Sequence, residues 1–301
     1  MGNLPLKPEL KYVKKLLQCL HFKKNLSKAV LHNYFCRMKN LVFIIIATVL
    51  LISCGEDDKK PASQNTARVQ LINNLSRRVK ENPDSAGLRM KLVNSYDSLK
   101  MFKEAITQTD SLIKRDSLNN GLWYTKAQLQ EDSKDTAEAI RSYERALNIY
   151  PSVEAQLSLA NLFAETKNAK ALMICRNVSA MGLGRETNAD CNFIAGVYFS
   201  RTGDKKQALQ LFDKAINDNY TLMEAYMEKG FIYYDSKNYQ QALQIFETAL
   251  KVNKTYADAY YWKAKCNEAM GNKPEALINY KRSLGLDKQL KEAAEAVKRL
   301  E

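Results

Sequence analysis

The chain has 301 residues, with 46 basic and 33 acidic side chains, a formal charge of +13 and 46% hydrophobic residues. Both of its histidines, His21 and His32, fall in the first 37 residues, so from Cys54 onward a Ser-His-Asp triad, a Cys-His pair and a His-ligated metal are excluded. There is no CxxC pair and no glycine-rich phosphate loop, and acidic neighbours such as Glu131-Asp132 read as a solvated helix end, so the expectation is no enzyme, no cofactor and no metal.

Residues 1–37 hold eight Lys or Arg and one acid, and they read as an upstream extension, with translation from Met38. Their +7 and the +1 of Lys39 leave 37 basic against 32 acidic residues beyond, +5 in all, interspersed along helix surfaces, which removes the expectation of nucleic-acid binding. Residues 38–53 have the layout of a secretory signal peptide: Lys39 supplies the positive start, and Leu41 to Ile52 is a run of twelve apolar or near-apolar residues. Twelve residues rise only about 18 Å as a helix, short of a bilayer core of about 30 Å.

Leu51-Ile52-Ser53-Cys54 resembles the lipobox of bacterial lipoproteins. That resemblance implies lipidation of the Cys54 thiol and cleavage before it, and places the protein at a bacterial outer membrane. Gly55-Glu56-Asp57-Asp58 then looks like the surface-export signal of lipoproteins in Bacteroidota, so cell-surface display and the periplasmic face both stay open. Residues 54–65 are too polar to bury apolar area and read as a flexible tether.

Thr66 to Lys80 is predicted as an amphipathic helix with Leu71, Leu75 and Val79 on its buried stripe, capping an array that runs over 66–301. From Ala86 a pattern of large and small residues recurs at a step of 34, starting again at Asn120, Ala189, Met223 and Ala257. Residues 4, 8 and 11 of each unit share one helix face and residues 20, 24 and 27 another, as Tyr226, Gly230 and Tyr233, then Ala242, Phe246 and Ala249, illustrate. Small residues let two helices approach while aromatic rings fill the space beside them. Gly203 and Gly271 sit where the intervening turn wants a left-handed residue.

This pattern resembles the tetratricopeptide repeat family. The resemblance implies an all-α, right-handed solenoid of about six helix pairs, with repeats near 86–119, 120–153, 189–222, 223–256 and 257–290 and a degenerate one at 154–188. Capping helices cover 66–82 and 290–301. Gly182 to Asn188 reads as a pliable loop, either a joint between two blocks of three repeats or a tolerated insertion. Cys175, Cys191 and Cys266 read as core thiols, with a Cys175 to Cys191 bridge left open.

In this family the first helix of each pair lines a concave groove, which implies an interaction scaffold for a protein or peptide partner and a membrane contact through lipid. Carried onto this sequence, the groove holds Tyr124, Phe193, Val197, Met227, Phe231, Tyr234, Tyr261 and Lys265, expected to be exposed in the free protein. Acids at Asp190, Glu224, Asp235, Asp258 and Glu268 rim it and favour a basic partner. A subunit of an envelope assembly or secretion machine, and a carbohydrate or peptidoglycan binder using the rings for stacking, are the alternatives.

The anchor is directly testable. Wild-type protein partitions into detergent through the lipid on Cys54, each buried methylene contributing about 0.8 kcal/mol. Cys54→Ser leaves it uncleaved or in the aqueous phase, and mass spectrometry of the mature N-terminus distinguishes the two.

Overall fold

The computed structural model describes residues 62–301; the extension at 1–37, the signal at 38–53, Cys54 and the tether up to residue 61 lie outside the described residues. Among the described residues there are fourteen α-helices and no strand. A long α1 (Ala62–Glu81) leads into α2 (Ala86–Asp97) and α3 (Phe102–Ile113), then α4 (Asn120–Asp132) and α5 (Thr136–Ile149). The degenerate unit supplies α6 (Val153–Glu165) and α7 (Lys170–Ala180). Three more pairs come after it: α8 (Arg185–Thr202) with α9 (Lys205–Asp218), α10 (Met223–Asp235) with α11 (Tyr239–Val252), and α12 (Ala257–Ala269) with α13 (Lys273–Leu286). The last element, α14 (Lys291–Leu300), packs on α13. No helix among the described residues is long and apolar enough to cross a membrane.

Four of the six pairs close around one ring of the second helix. In the units starting at Ala189 and Met223, Phe212 and Phe246 are fully buried opposite Gly196 and Gly230. A Cβ on Gly196 would stand 2.6 Å from the Phe212 ring, and one on Gly230 would come closer still to Phe246, so only glycine fits there. The units starting at Asn120 and Ala257 solve the same problem with alanine, Ala127 and Ala264, beside Tyr143 and Tyr280. These two phenols also reach a carboxylate: Tyr143 donates to Glu131 Oε2 at 2.9 Å and Tyr280 to Glu268 Oε2 at 2.8 Å. The first unit inverts the sizes, with Val93 and Thr109 at the two places, and the buried Thr109 hydroxyl donates to the Ala105 carbonyl at 2.9 Å.

The turn within each pair passes through a left-handed residue. Gly203 and Gly271 take it as the sequence predicts, with φ of 96° and 83°, but Lys100, Lys134, Lys167 and Lys237 take it in the other units, with φ between 57° and 67°. A side chain there is strained by about 1 kcal/mol or more. After Lys134 and Lys237 capping at the start of the second helix offsets that strain, with Asp135 and Asn238 each accepting a hydrogen bond from a backbone N–H in its first turn, and Asp204 and Asn272 cap in the same way after the two glycines.

Neighbouring pairs are joined by a recurring ion pair from a second helix to the next first helix. Lys126 meets Asp110 at 2.7 Å, Lys263 meets Glu247 at 2.9 Å, and Lys229 meets Asp213. Each lysine is well covered, so these contacts contribute more than a fully exposed pair would.

Three expectations change. The cap α1 begins at Ala62, four residues before Thr66, and its buried stripe is Ile72, Leu75 and Val79, with Leu71 52% exposed. The stripe turns because α1 faces Leu92, Leu88 and Tyr96 of α2 from a position the sequence spacing does not specify. The segment Gly182 to Asn188 is a loop only as far as Gly184; Arg185 opens α8, which runs 18 residues against 13 for α10 and α12. Arg185 bonds the Asn217 carbonyl and lies 3.4 Å from Asp218, both at the end of α9, and so extends the helix by a turn.

Glycine substitutions separate packing from propensity. Gly230→Ala forces a methyl into the Phe246 ring and lowers stability by about 1–3 kcal/mol, whereas Gly87→Ala, whose Cβ meets nothing within 4 Å, raises it by up to about 1 kcal/mol. Urea unfolding of both variants beside wild type checks the opposite signs.

Candidate functional site

Between α10 and α12, the first helices of two adjacent pairs, aromatic side chains meet. Trp262 is the hub. Its ring centroid lies 4.6 Å from Phe231, 5.2 Å from Tyr234, 5.8 Å from Tyr261 and 6.2 Å from the core ring of Phe246. Tyr239, at the start of α11, extends the group at 5.2 Å from Tyr234. All of these except Phe246 are half-buried, so the rings support one another and still show an edge or face to solvent. Lys265 places its ammonium over them, 4.6 Å from the Trp262 centroid.

The predicted groove residues divide into three groups. Phe231, Tyr234, Tyr261 and Lys265 meet around Trp262, which sequence reasoning missed because it stands beside the groove positions taken from the family and not on one. Tyr124 and Phe193 are half-buried against their own unit's ring, 5.5 Å from Tyr143 and 5.9 Å from Phe212, and Tyr261 makes the same contact with Tyr280 at 5.6 Å. Val197 and Met227 are buried, 1% and 5% exposed, and cannot contact a partner in this state. Val197 is short and sits on α8, which is flanked by α6, α7, α9 and α10; Met227 lies in the cluster around Phe246. Phe193, Phe231 and Tyr234 therefore also contribute to packing, contrary to the expectation that they stand free.

Charge on this side is partly paired and partly not. Arg201 of α8 spans three units, bonding Glu165 of α6 at 2.8 and 3.0 Å and Glu228 of α10 at 2.9 Å through two nitrogens, and the Glu228 and Glu165 bonds hold it charged. Arg299 of α14 bonds Glu268 at 3.0 Å, and that bond keeps the Glu268 carboxyl below its ordinary range. The other rim acids, Asp190, Glu224, Asp235 and Asp258, form no ion pair among the described residues. Burial, then Glu186 and Glu224, pushes the Asp190 carboxyl up; burial, then Asp287, does the same to Asp258. Burial, then Glu292, Glu268 and Glu295, raises the Tyr261 phenol. Asp190, Glu224 and Asp258 thus lie in the first two turns of α8, α10 and α12, and Asp235 ends α10.

The three cysteines among the described residues are unbridged and buried. Cys175 stands four residues after Ala171, where other units carry the central ring, and its thiol shares a hydrogen bond with Cys191 of α8; that bond makes Cys191 the easier of the two to ionise and Cys175 the harder. Burial pushes the Cys266 thiol up to about 12. No group of three or more His, Cys, Asp or Glu that could hold a metal occurs among the described residues.

Two segments match tetratricopeptide repeat family models, residues 121–153 and 233–282. Among solved structures, a tetratricopeptide repeat protein from Parabacteroides merdae ATCC 43184 superimposes with a TM-score of 0.63 at 16% identity, over 79% of this chain and 94% of that one, a likeness of fold. MamA protein aligns with a TM-score of 0.40 at 20% identity over 58% of this chain and 94% of its own. YrrB does so with 0.35 at 17% identity over 74% and 97%. No curated protein matches the chain.

The unpaired acids can be read out by pH. Asp190 holds its proton more tightly folded than unfolded, so its stabilising contribution is complete below the unfolded pKa of about 3.9 and is lost as pH rises through the higher folded value. Asp190→Asn should raise neutral-pH stability. Thermal melts at a series of pH values check that this gain shrinks to nothing as the pH falls and the carboxylate takes up its proton.

Proposed function

Given that the chain is built of tetratricopeptide repeats, we propose that it is a lipid-anchored interaction scaffold that captures a protein segment on the aromatic ledge between α10 and α12, at a bacterial outer membrane. The observation that carries the binding part is the Trp262 cluster. Phe231, Tyr234, Tyr261 and Trp262 present rigid rings half out of the protein, the side-chain type in which binding energy concentrates at interfaces. Phe246 and Tyr280 already supply the buried core ring of these two pairs, and the additional rings at this junction are only half-buried, which leaves surface for a partner.

Partner chemistry is set by the charges. Asp190, Glu224, Asp235 and Asp258 form no ion pair among the described residues, and like charge acts on Asp190 from Glu186 and Glu224 and on Asp258 from Asp287, so a partner that brings Lys or Arg is favoured and its encounter is sped. The helix pairs are locked by buried rings and inter-unit ion pairs, so little ordering is needed on this side when the segment binds.

The lipid on Cys54 supplies location and the polar tether supplies reach. This part rests on the Leu51-Ile52-Ser53-Cys54 motif and the apolar run before it. The acidic residues just after Cys54 favour display at the cell surface over the periplasmic face.

The ledge is tested by comparing a ledge variant with a core variant. Tyr234→Ala/Tyr261→Ala removes two anchors, while Leu250→Ala opens a cavity on α11 at about 2–5 kcal/mol. Crosslinked pulldown with quantitative mass spectrometry should show partner recovery reduced about tenfold or more by the first and unchanged by the second. Equal recovery from both variants removes the ledge as the site.

A further inference from the structure

Lys265 reaches from the third turn of α12 into a ring of aromatic faces. Its Nζ lies 4.6 Å from the centroid of Trp262, 5.4 Å from Tyr234 and 5.8 Å from Tyr261. The three rings are held independently of the lysine: Tyr234 and Tyr261 each meet Trp262 edge-on, and Phe231 supports it at 4.6 Å. Aromatic faces attract a cation through their quadrupole, Trp most strongly, so this arrangement is a cation receptor whose occupant comes from the same chain.

Lys265 is held differently from the other cations of this face. Arg201 is fixed by Glu165 and Glu228, and Arg299 by Glu268. No carboxylate among the described residues lies within 4.0 Å of Lys265; Glu268 attracts it from farther away, and its close contacts on this face are the rings. An ammonium on a flexible four-carbon stem can swing into water without disturbing backbone or core. Glu268, Glu292 and Glu295 act on the Tyr261 phenol, so the vacated space still favours positive charge.

We infer that Trp262, Tyr234 and Tyr261 form a cage for an alkylammonium group, a lysine side chain of the captured segment, and that Lys265 occupies this cage in the free protein as a tethered competitor. The inference rests on the ledge being the docking face and names the chemistry the ledge selects. Because the tethered ammonium is always present at high local concentration, an isolated cation competes poorly. A segment with a lysine and apolar neighbours displaces it, since its further contacts on Phe231 and the neighbouring rings add to the exchange. The device therefore rejects basic chains that lack those flanking contacts.

Tetramethylammonium chloride is the probe, titrated against sodium chloride at constant ionic strength while the Trp262 indole N–H resonance is followed by NMR. Trp123, the other of the two tryptophans, is assigned away with Trp123→Phe. Wild type should show weak saturation, Lys265→Ala should bind about tenfold more tightly, and Lys265→Ala/Trp262→Leu should not bind. The neutral probe tert-butanol should bind Lys265→Ala far less well than the cation does. Absence of saturable binding to Lys265→Ala overturns the inference, as does equal binding of tert-butanol. So does acetate binding to wild type that disappears in Lys265→Ala, which would make Lys265 an anion receptor. Lys265→Gln keeps most of the stem and removes the charge; if both Lys265 variants melt far below wild type, the lysine is a structural element and the inference also fails. Partner capture that depends on Tyr234 and Tyr261 without any probe binding leaves the docking face standing and removes only the cage.

Discussion

Four of the six helix pairs rest on the contact between one large ring of the second helix and the small residue facing it on the first. Phe212 against Gly196 and Phe246 against Gly230 leave no room for a methyl group, and Tyr143 and Tyr280 stand beside Ala127 and Ala264. The pairing is a trade of volume. Where the ring is a phenol, it donates to a carboxylate, Glu131 or Glu268, and alanine is accommodated; where it is a phenyl with no such bond, glycine is present. Val93 with Thr109 completes the series from the opposite end. Close packing makes each choice at one position conditional on the other, so the spacing of the two helices is preserved across units with different side chains.

That spacing decides how much the exposed side can present. With the core ring in place, the next large residue along a first helix has only part of a surface to cover: Tyr124, Phe193 and Tyr261 each rest on their own unit's ring and remain half-buried. Between α10 and α12 several such residues coincide, and Trp262 joins two units into one aromatic ledge. The ledge is thus an outgrowth of the core. Altering it weakens packing, so matched-stability controls matter for any functional assay on this face.

Electrostatics divides the same surface by purpose. Where two units must be held in register, charges are paired, as in Asp110 with Lys126, Glu247 with Lys263, and Arg201 with Glu165 and Glu228. Glu247, whose polar position in the repeat suggests an inert surface residue, belongs to this group. At the starts of α8, α10 and α12, acids accumulate without partners, and burial together with like charge makes Asp190 and Asp258 harder to ionise. Such repulsion lowers the stability of the free protein and is relieved by a cationic ligand. The left-handed lysines at four turns are a comparable local strain, tolerated because the cap residue after each turn or the packing beyond it compensates.

Local periodicity carried most of the fold. Residues three and four apart fall on one helix face whatever surrounds them, so the 34-residue recurrence, the buried Ala139, Ala208, Ala242 and Ala276, and the left-handed Gly203 and Gly271 are legible in the chain alone. Part of the candidate site was within reach too, since the family resemblance implies groove positions for Phe231, Tyr234, Tyr261 and Lys265. The remainder depended on neighbours. Val197 and Met227 share the repeat positions of Phe231 and Tyr261 yet are buried, because coverage is decided by the length and angle of side chains on adjacent helices. Trp262 became the hub for the same reason: its reach across to α10 depends on how two units pack, a relation between residues about 30 apart that no single-unit pattern encodes. The start of α8 at Arg185 was decided by the end of α9, and the occupancy of the aromatic ring cluster by Lys265 was decided by the absence of a carboxylate within ion-pair distance of it.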